Sequence, residues 1–264
     1  MQRLNLLANQ HKPHTPKGQM EIIVAGRGNM ATAIETLCDK ENQAFRRFVP
    51  DIQLTQPADQ TVVIHVGSGR ELPKIFRLCG EHNLVLVQGS GKMEEIMKQA
   101  EPLNFVVIDA PNFALPIVQF TALLGQITNK LKRVGMKVTS VRESHQQTKK
   151  TVPATALKMA SAVDFPKESI ESKRDPLIQW RDLDIPREHL NGHGYHWIIF
   201  EGGEVTIELS EKVNGRGAYA IGVLQIAKMA VELESQLVPR IYSVQYLIEA
   251  TWNRRPFEDL KEKI

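Results

Sequence analysis

Glu21-Ile-Ile-Val-Ala25 runs straight into Gly26-Arg27-Gly28-Asn29-Met30-Ala31, and this stretch sets the frame for reading the whole chain. A short apolar run reads as a buried strand, and a helical pattern follows from about Asn29 to Lys40, with Ala33, Ile34 and Leu37 on one face. Between them lies Gly-x-Gly-x-x-Ala. Glycines in that position let backbone N–H groups approach a pyrophosphate at the N-terminus of a helix. A tight strand–helix turn that binds nothing asks for the same glycines, so the motif gains its meaning from the strand before it and the helix after it.

Working outward, the next segments alternate. Strands are expected at 44–49, 61–66, 84–87 and 105–108, and helices at 71–82 and 92–100. Thr61-Val-Val-Ile-His-Val66 and Leu84-Val-Leu-Val87 are apolar almost throughout, as strands covered on both faces are. The pattern predicts a doubly wound parallel sheet. It changes after Asn112. A long helix is expected from about Leu115 to Val134, with Pro116 in its first turn, where the missing N–H costs nothing. Met136 to Arg142 reads as a strand, 144–153 as a polar loop, Ala154 to Val163 as a helix, and 164–193 as charged, irregular chain. His196 to Phe200 and Glu204 to Leu209 flank Gly202-Gly203. Val205, Ile207 and Leu209 alternate with Thr206, Glu208 and Ser210, the signature of a hairpin with one wet face. A final long helix is expected from Tyr219 to about Leu237.

Composition narrows the function classes. The chain has 264 residues, 42% hydrophobic and 24% charged, enough for a sizeable core in one or two domains. Lys+Arg 33 against Asp+Glu 30 leaves too small an excess for nucleic acid to be the main partner. No apolar run approaches the roughly 20 residues a membrane helix needs. Cys38 and Cys79 are too few for a disulfide framework or a zinc site, and no signal-like core precedes residue 20, so a cytoplasmic location is expected. Residues 1–19 read as a loosely ordered tail.

Several residues are candidates for chemistry. Turns at Gly67-Ser68-Gly69 and Gly89-Ser90-Gly91 end later strands, on the sheet edge where open α/β sheets hold ligands. Near the end of the second strand, Arg46 or Arg47 would suit the 2′-phosphate of NADP, Asp51 would suit the ribose of NAD, and all three equally suit a solvated surface. Glu143-Ser-His145-Gln-Gln-Thr-Lys149 sets an imidazole four residues before a cation. That pairing suits proton delivery to a carboxylate substrate, and a solvated loop histidine is the bland alternative. His193 and His196 have no cysteine or carboxylate set to complete a zinc site, so no metal is expected.

Taken together, these motifs resemble the dihydrodipicolinate reductases of diaminopimelate and lysine biosynthesis, from residue 21 to the C-terminus. Gly26-Arg-Gly-Asn-Met30 is similar to that family's G-x-G-x-M turn. Ala110-Pro-Asn112-Phe113 is similar to its A-x-N-F hinge. Glu143 to Lys149 followed by Val152-Pro-Ala-Thr-Ala156 is similar to E-x-H-H-x-x-K-x-D-A-P-S-G-T-A. Gly194-Tyr-His196 and Asn214-Gly-Arg216 stand in the expected order.

The resemblance implies an α/β chain in two parts. A Rossmann-like doubly wound domain would comprise 20–113 and 217–264, and an inserted α+β substrate-binding and oligomerisation domain with an open mixed sheet would comprise 114–216. It implies a homotetramer, NADPH or NADH as cofactor, and hydride transfer to a cyclic imine dicarboxylate, with neither nucleic acid nor membrane as a partner. His145 and Lys149 fall on its catalytic positions. Gly26, Gly28, Asn29, Met30, Arg46, Gly67, Ser68, Gly89, Ser90, Ala110, Asn112 and Phe113 fall at cofactor positions. Gln146, Lys149, Ala154 and Thr155 fall at substrate positions. Three departures stand out: Gln146 replaces a second histidine, Thr151 an aspartate, and Pro153-Ala-Thr-Ala156 lacks the glycine of the anion-binding turn. These leave room for two other readings, a reductase of another cyclic imine acid and a non-enzymatic NAD(P)-binding relative.

Overall fold

The computed structural model describes residues 19–90 and 103–252. The expected tail, the helix at 92–100, Gly91 and residues 253–264 lie outside them. The described chain forms two compact units. One holds the residues up to Ile108 together with Ala227–Tyr242; the other holds Asp109–Ile226 with the residues from Ser243. The boundaries expected at 113/114 and 216/217 are thus displaced to 108/109 and 226/227. The chain after 242 groups with the second unit, because the third crossing point follows a short strand that ends the first unit's sheet.

The first unit is built on a six-stranded sheet. Its strands are β1 (Glu21–Ala25), β2 (Ala44–Arg47), β3 (Thr61–His65), β4 (Val85–Gln88), β5 (Val107–Asp109) and, late in the chain, β10 (Ile241–Ser243). They lie in the order β10-β5-β4-β3-β1-β2, and the pairs β1–β2, β1–β3 and β3–β4 are parallel. Every residue of β1, β3 and β4 is buried, which explains their unbroken apolar runs. Helices α1 (Asn29–Lys40) and α2 (Leu72–His82) supply the crossovers. The buried stripe of α1 is Ala31, Ile34, Glu35 and Cys38, displaced slightly from the expected Ala33-Ile34-Leu37 face. α2 stops at Asn83, which adopts the left-handed conformation of a C-terminal cap.

The second unit opens with α3 (Leu115–Arg133), whose last turn carries Lys130, Lys132 and Arg133 against the negative end of the helix dipole. A mixed four-stranded sheet follows, in the order β7-β6-β8-β9. Its members are β6 (Lys137–His145), β7 (Glu171–Lys173), β8 (His193–Gly202) and β9 (Val205–Asn214). β6–β8 and β8–β9 are antiparallel and β6–β7 is parallel. Helix α4 (Ala154–Ala162) and the short α5 (Pro176–Arg181) join them, and α6 (Gly217–Leu233) and α7 (Val244–Trp252) follow. Ile117, Leu124, Met159, Val141, Ile198 and Phe200 form the core between the helices and one sheet face.

Three expectations are corrected here. β6 runs to His145, so the strand takes in Glu143 and also Ser144 and His145, which the sequence pattern places in the loop. The hairpin arms are ten residues each, longer than expected. The stretch 164–193 contains an edge strand and a helix.

Candidate functional sites

In the first unit, the carboxyl edge of the sheet brings the glycine turns together. Val66 N–H donates to the Ala25 carbonyl at 2.8 Å, so the chain leaving β3 runs beside the chain leaving β1. Gly26 has φ +155°, and a Cβ there would come within 3.0 Å of Val66 Cγ2. Gly28 differs: a Cβ on it would meet nothing within 4 Å. It borders a hollow of about 500 Å³ lined by Gly26, Arg27, Gly28, Val66, Gly67, Ser68, Arg70 and one carboxylate, Glu71. Helix α1 begins directly after Gly28 and carries no acidic residue in its first turn, so no carboxylate of its own offsets the positive end of its dipole. The room beside Gly28 fits a dinucleotide's phosphates.

One level below, His65 and Gln88 are fully buried at the ends of β3 and β4. His65 Nδ1 donates to Gln88 Oε1 at 2.6 Å, and Gln88 Nε2 donates to the Ser90 carbonyl at 3.1 Å and to its hydroxyl. The pair ties the turn after β4 to the strand before Gly67. Burial pushes the imidazole of His65 down, so it is held neutral.

Arg46 is a correction. Its guanidinium forms a two-pronged pair with Glu21, Nε to Oε1 at 2.7 Å and Nη2 to Oε2 at 2.9 Å, with Thr55 adding a third bond at 2.7 Å. Glu21 opens β1, so the arginine is drawn to the amino end of that strand, away from the glycine turns. Its role is to neutralise a fully buried carboxylate. Arg47 pairs with Glu35 of α1 at 2.6 Å through a mostly exposed side chain.

The second unit holds the polar cluster. Glu143, buried on β6, accepts from His145 Nδ1 at 2.9 Å, from Arg174 Nη1 at 3.0 Å and Nη2, and from the Ser172 hydroxyl. Burial alone pushes its carboxyl up, but the bonds from His145, Arg174 and Ser172 outweigh it and hold the group at about 2. A carboxylate on Nδ1 fixes the proton there and leaves His145 Nε2 as the reactive nitrogen. Burial pushes this imidazole down; the charges of His196 and Lys149 add to that, and Glu143 opposes it.

The loop that follows is pinned by its backbone. Gln179 Nε2 donates to the His145 carbonyl at 2.7 Å, and Arg174 Nε donates to the Lys149 carbonyl at 3.0 Å. Lys149, Gln146 and Thr155 are half-buried, and Ala154 is exposed. Thr155 stands in the first turn of α4, and its hydroxyl accepts from the Asn112 side chain at 3.3 Å. Asn112 and Thr155 also line a cavity of about 230 Å³ with Asp109, Lys158, Thr121 and Gln245. Ala110 and Phe113 are buried, backbone included. Helix α6 closes on that backbone, because a Cβ on Gly222 would fall on the Phe113 carbonyl.

Sequence reasoning missed several of these groups. Arg174, Ser172 and Gln179 lie about 30 residues from His145, in a stretch with no motif. His193 and His196 were weighed only as metal ligands. In the structure His193 binds Ser144 at 2.9 Å, and His196 is held by Glu211 with its ring 5.3 Å from that of His145. Among the described residues no group of histidine, cysteine or carboxylate side chains is arranged to hold a metal, and no helix is long and apolar enough to cross a membrane.

Comparison with known proteins places this arrangement. The family model described as dihydrodipicolinate reductase, C-terminus, matches residues 117–248, half of the chain. A probable 4-hydroxy-tetrahydrodipicolinate reductase of Oryza sativa is 29% identical over 146 residues, 52% of this chain and 42% of the rice protein. The chain thus spans about half the length of the plant relatives it matches. The reductase so named in Thermosipho africanus is 22% identical over 218 residues, 81% of this chain and 92% of that one. Among solved structures, a dipicolinate-bound dihydrodipicolinate reductase from Paenisporosarcina superposes with a TM-score of 0.54 at 16% identity, covering 85% of this chain and 97% of that chain. A multiply substituted meso-dapdh of Clostridium tetani superposes at 0.51 and 9% identity, covering 93% and 100%; both likenesses concern the fold alone. With a family model matching half its length, the chain belongs to the dihydrodipicolinate reductase family.

Proposed function

We propose that this chain is an NAD(P)H-dependent oxidoreductase that reduces dihydrodipicolinate, formed from 4-hydroxy-tetrahydrodipicolinate, to tetrahydrodipicolinate in diaminopimelate and lysine biosynthesis. The proposal extends, on the family resemblance, to a homotetramer in the cytoplasm. The observation that carries it is the Glu143–His145 pair locked by Arg174, which also anchors the loop bearing Lys149.

NADH or NADPH would be held by Gly26, Gly28, Asn29 and Met30 at the start of α1, with the Gly67-Ser68 and Gly89-Ser90 turns beside them. Bound there, the nicotinamide supplies the hydride. Lys149 holds a substrate carboxylate, joined by the N–H groups at the start of α4 beside Ala154 and Thr155, and Gln146 flanks it. His145, with Nδ1 committed to Glu143, handles the proton at Nε2. Because the α4 turn is shortened and Thr155 is engaged by Asn112, a different cyclic imine acid is the second reading.

The test is loss of nicotinamide absorbance with enzymatically generated substrate, run with both cofactors. His145→Ala and Lys149→Ala should each lower kcat by roughly 10²-fold, the scale of a lost general acid, and leave dinucleotide affinity unchanged. Near-parental turnover in both variants would overturn the assignment. Dinucleotide binding without turnover of any imine acid would favour a non-enzymatic relative.

A further inference from the structure

The cavity of about 230 Å³ beside Asn112 and Thr155 is lined by residues of the second unit alone, and neither His145 nor Lys149 is among them. Two charged side chains of opposite sign line it. Asp109, half-buried, ends β5, and Lys158, exposed, stands three residues beyond Thr155 on the same face of α4. Neither side chain forms a hydrogen bond or an ion pair with a described residue. Burial pushes the carboxyl of Asp109 up, and the charge of Lys158 opposes this. The acid and the base thus sense each other without closing into a pair. A carboxylate that has lost part of its hydration and has no partner gains from a cation that brings its own N–H donors.

Much of the remaining lining is apolar, with Ile117, Val118 and Ala122 on α3 and Val244 at the start of α7. The volume falls below the roughly 300–1,000 Å³ of most ligand pockets, which suits a molecule the size of a free amino acid and excludes a dinucleotide. We propose that this cavity is a second small-molecule site, separate from the Glu143–His145 cluster, and that it takes an α-amino acid with a short aliphatic side chain. The ammonium group meets Asp109, the carboxylate meets Lys158, and the side chain lies against Ile117, Val118 and Val244. A ligand with a single charge would leave one of the two groups unmatched. The assignment does not depend on which acid the protein reduces.

L-Leucine is the probe, titrated calorimetrically into the full chain at millimolar concentration. Isocaproate and isoamylamine, which keep its side chain and one charge each, are the comparisons. Saturable binding of L-leucine is expected, with much weaker binding of the other two. Asp109→Asn should weaken L-leucine by about tenfold, the scale of a lost charge-assisted hydrogen bond. Lys158→Met should weaken it less, because an exposed ammonium is screened by water. Ala122→Phe, at an exposed position of the wall, should block binding by filling the space. The Asn variant is isosteric and the other two positions are exposed, so all three should keep the parental Tm. No binding of L-leucine overturns the proposal, as does binding that survives both Asp109→Asn and Ala122→Phe. Equal binding of isoamylamine would leave Lys158 without a part and overturns it too. Displacement of L-leucine by NADH would place the amino acid in the dinucleotide site and refute a separate one.

Discussion

His145 Nδ1 donates to Glu143 Oε2 at 2.9 Å from two residues further along the same strand, so carboxylate and imidazole share one sheet face. Strand periodicity of two makes the pair a property of β6 rather than of a flexible loop. The carboxylate fixes which nitrogen carries the proton. Glu143→Gln keeps the shape but turns an amide N–H towards some of the four donor groups, on His145, Arg174 and Ser172, that now point at the carboxylate. Turnover should drop at least tenfold as the imidazole loses its fixed tautomer. Glu143→Ala should in addition destabilise the fold by about 3–5 kcal/mol, since Arg174 would lose its buried partner. Steady-state kinetics and denaturant titration of the two variants check this, and parental turnover in Glu143→Gln would refute it.

Acid should weaken the protein in two stages. Burial pushes His65, His145 and His193 below their ordinary values. A histidine whose folded pKa lies below the unfolded one gives stability that is present above about 6.5 and is lost as pH falls through the folded value. Glu143, held at about 2, gives stability that is present above the ordinary carboxylate range and is lost only as pH falls towards 2. Tm should therefore decline between pH 7.5 and 5.5, and Glu143→Gln should flatten the steeper fall below pH 4.5. A Tm independent of pH over both ranges would contradict the assignment.

Arg46→Ala should act on stability and leave cofactor choice alone. It strands the buried Glu21 carboxylate beside Thr55, at a cost of about 3–5 kcal/mol. The ratio of NADPH to NADH affinity should not change. A selective loss of NADPH binding in a variant of parental stability would reverse this.

The doubly wound half was legible because β1, β3 and β4 are buried on both faces and leave continuous apolar runs in the sequence. Strand β6 extends beyond the apolar pattern because Glu143, Ser144 and His145 are polar, yet all three are tied by hydrogen bonds to residues far along the chain, Arg174, His193 and Gln179 among them. No local pattern encodes such partners. β7 has three residues, two of them exposed, and α5 has six, too few for either period to register. His145 and Lys149 were visible as a spacing, whereas Arg174 came from a stretch with no motif. Arg46 was misread because an arginine at a strand end looks the same whether it meets a ligand or a buried glutamate.

The two glycines of the first turn should separate folding from binding. At Gly26, a backbone at φ +155° and the nearness of Val66 both resist a side chain. Gly26→Ala should destabilise by about 1–3 kcal/mol, the scale of a strained backbone, and lower Tm. At Gly28 the backbone is extended and open space surrounds the Cβ position. Gly28→Val should therefore fold with a Tm near that of the parent. Its branched side chain would fill the hollow bordered by Gly67 and Ser68, where phosphates must approach the N–H groups of α1. Calorimetric titration with NADH and NADPH should show binding by the parent and a loss of at least 10²-fold in the variant. If Gly28→Val folded normally and bound either dinucleotide with parental affinity, the hollow at the start of α1 would not be the cofactor site.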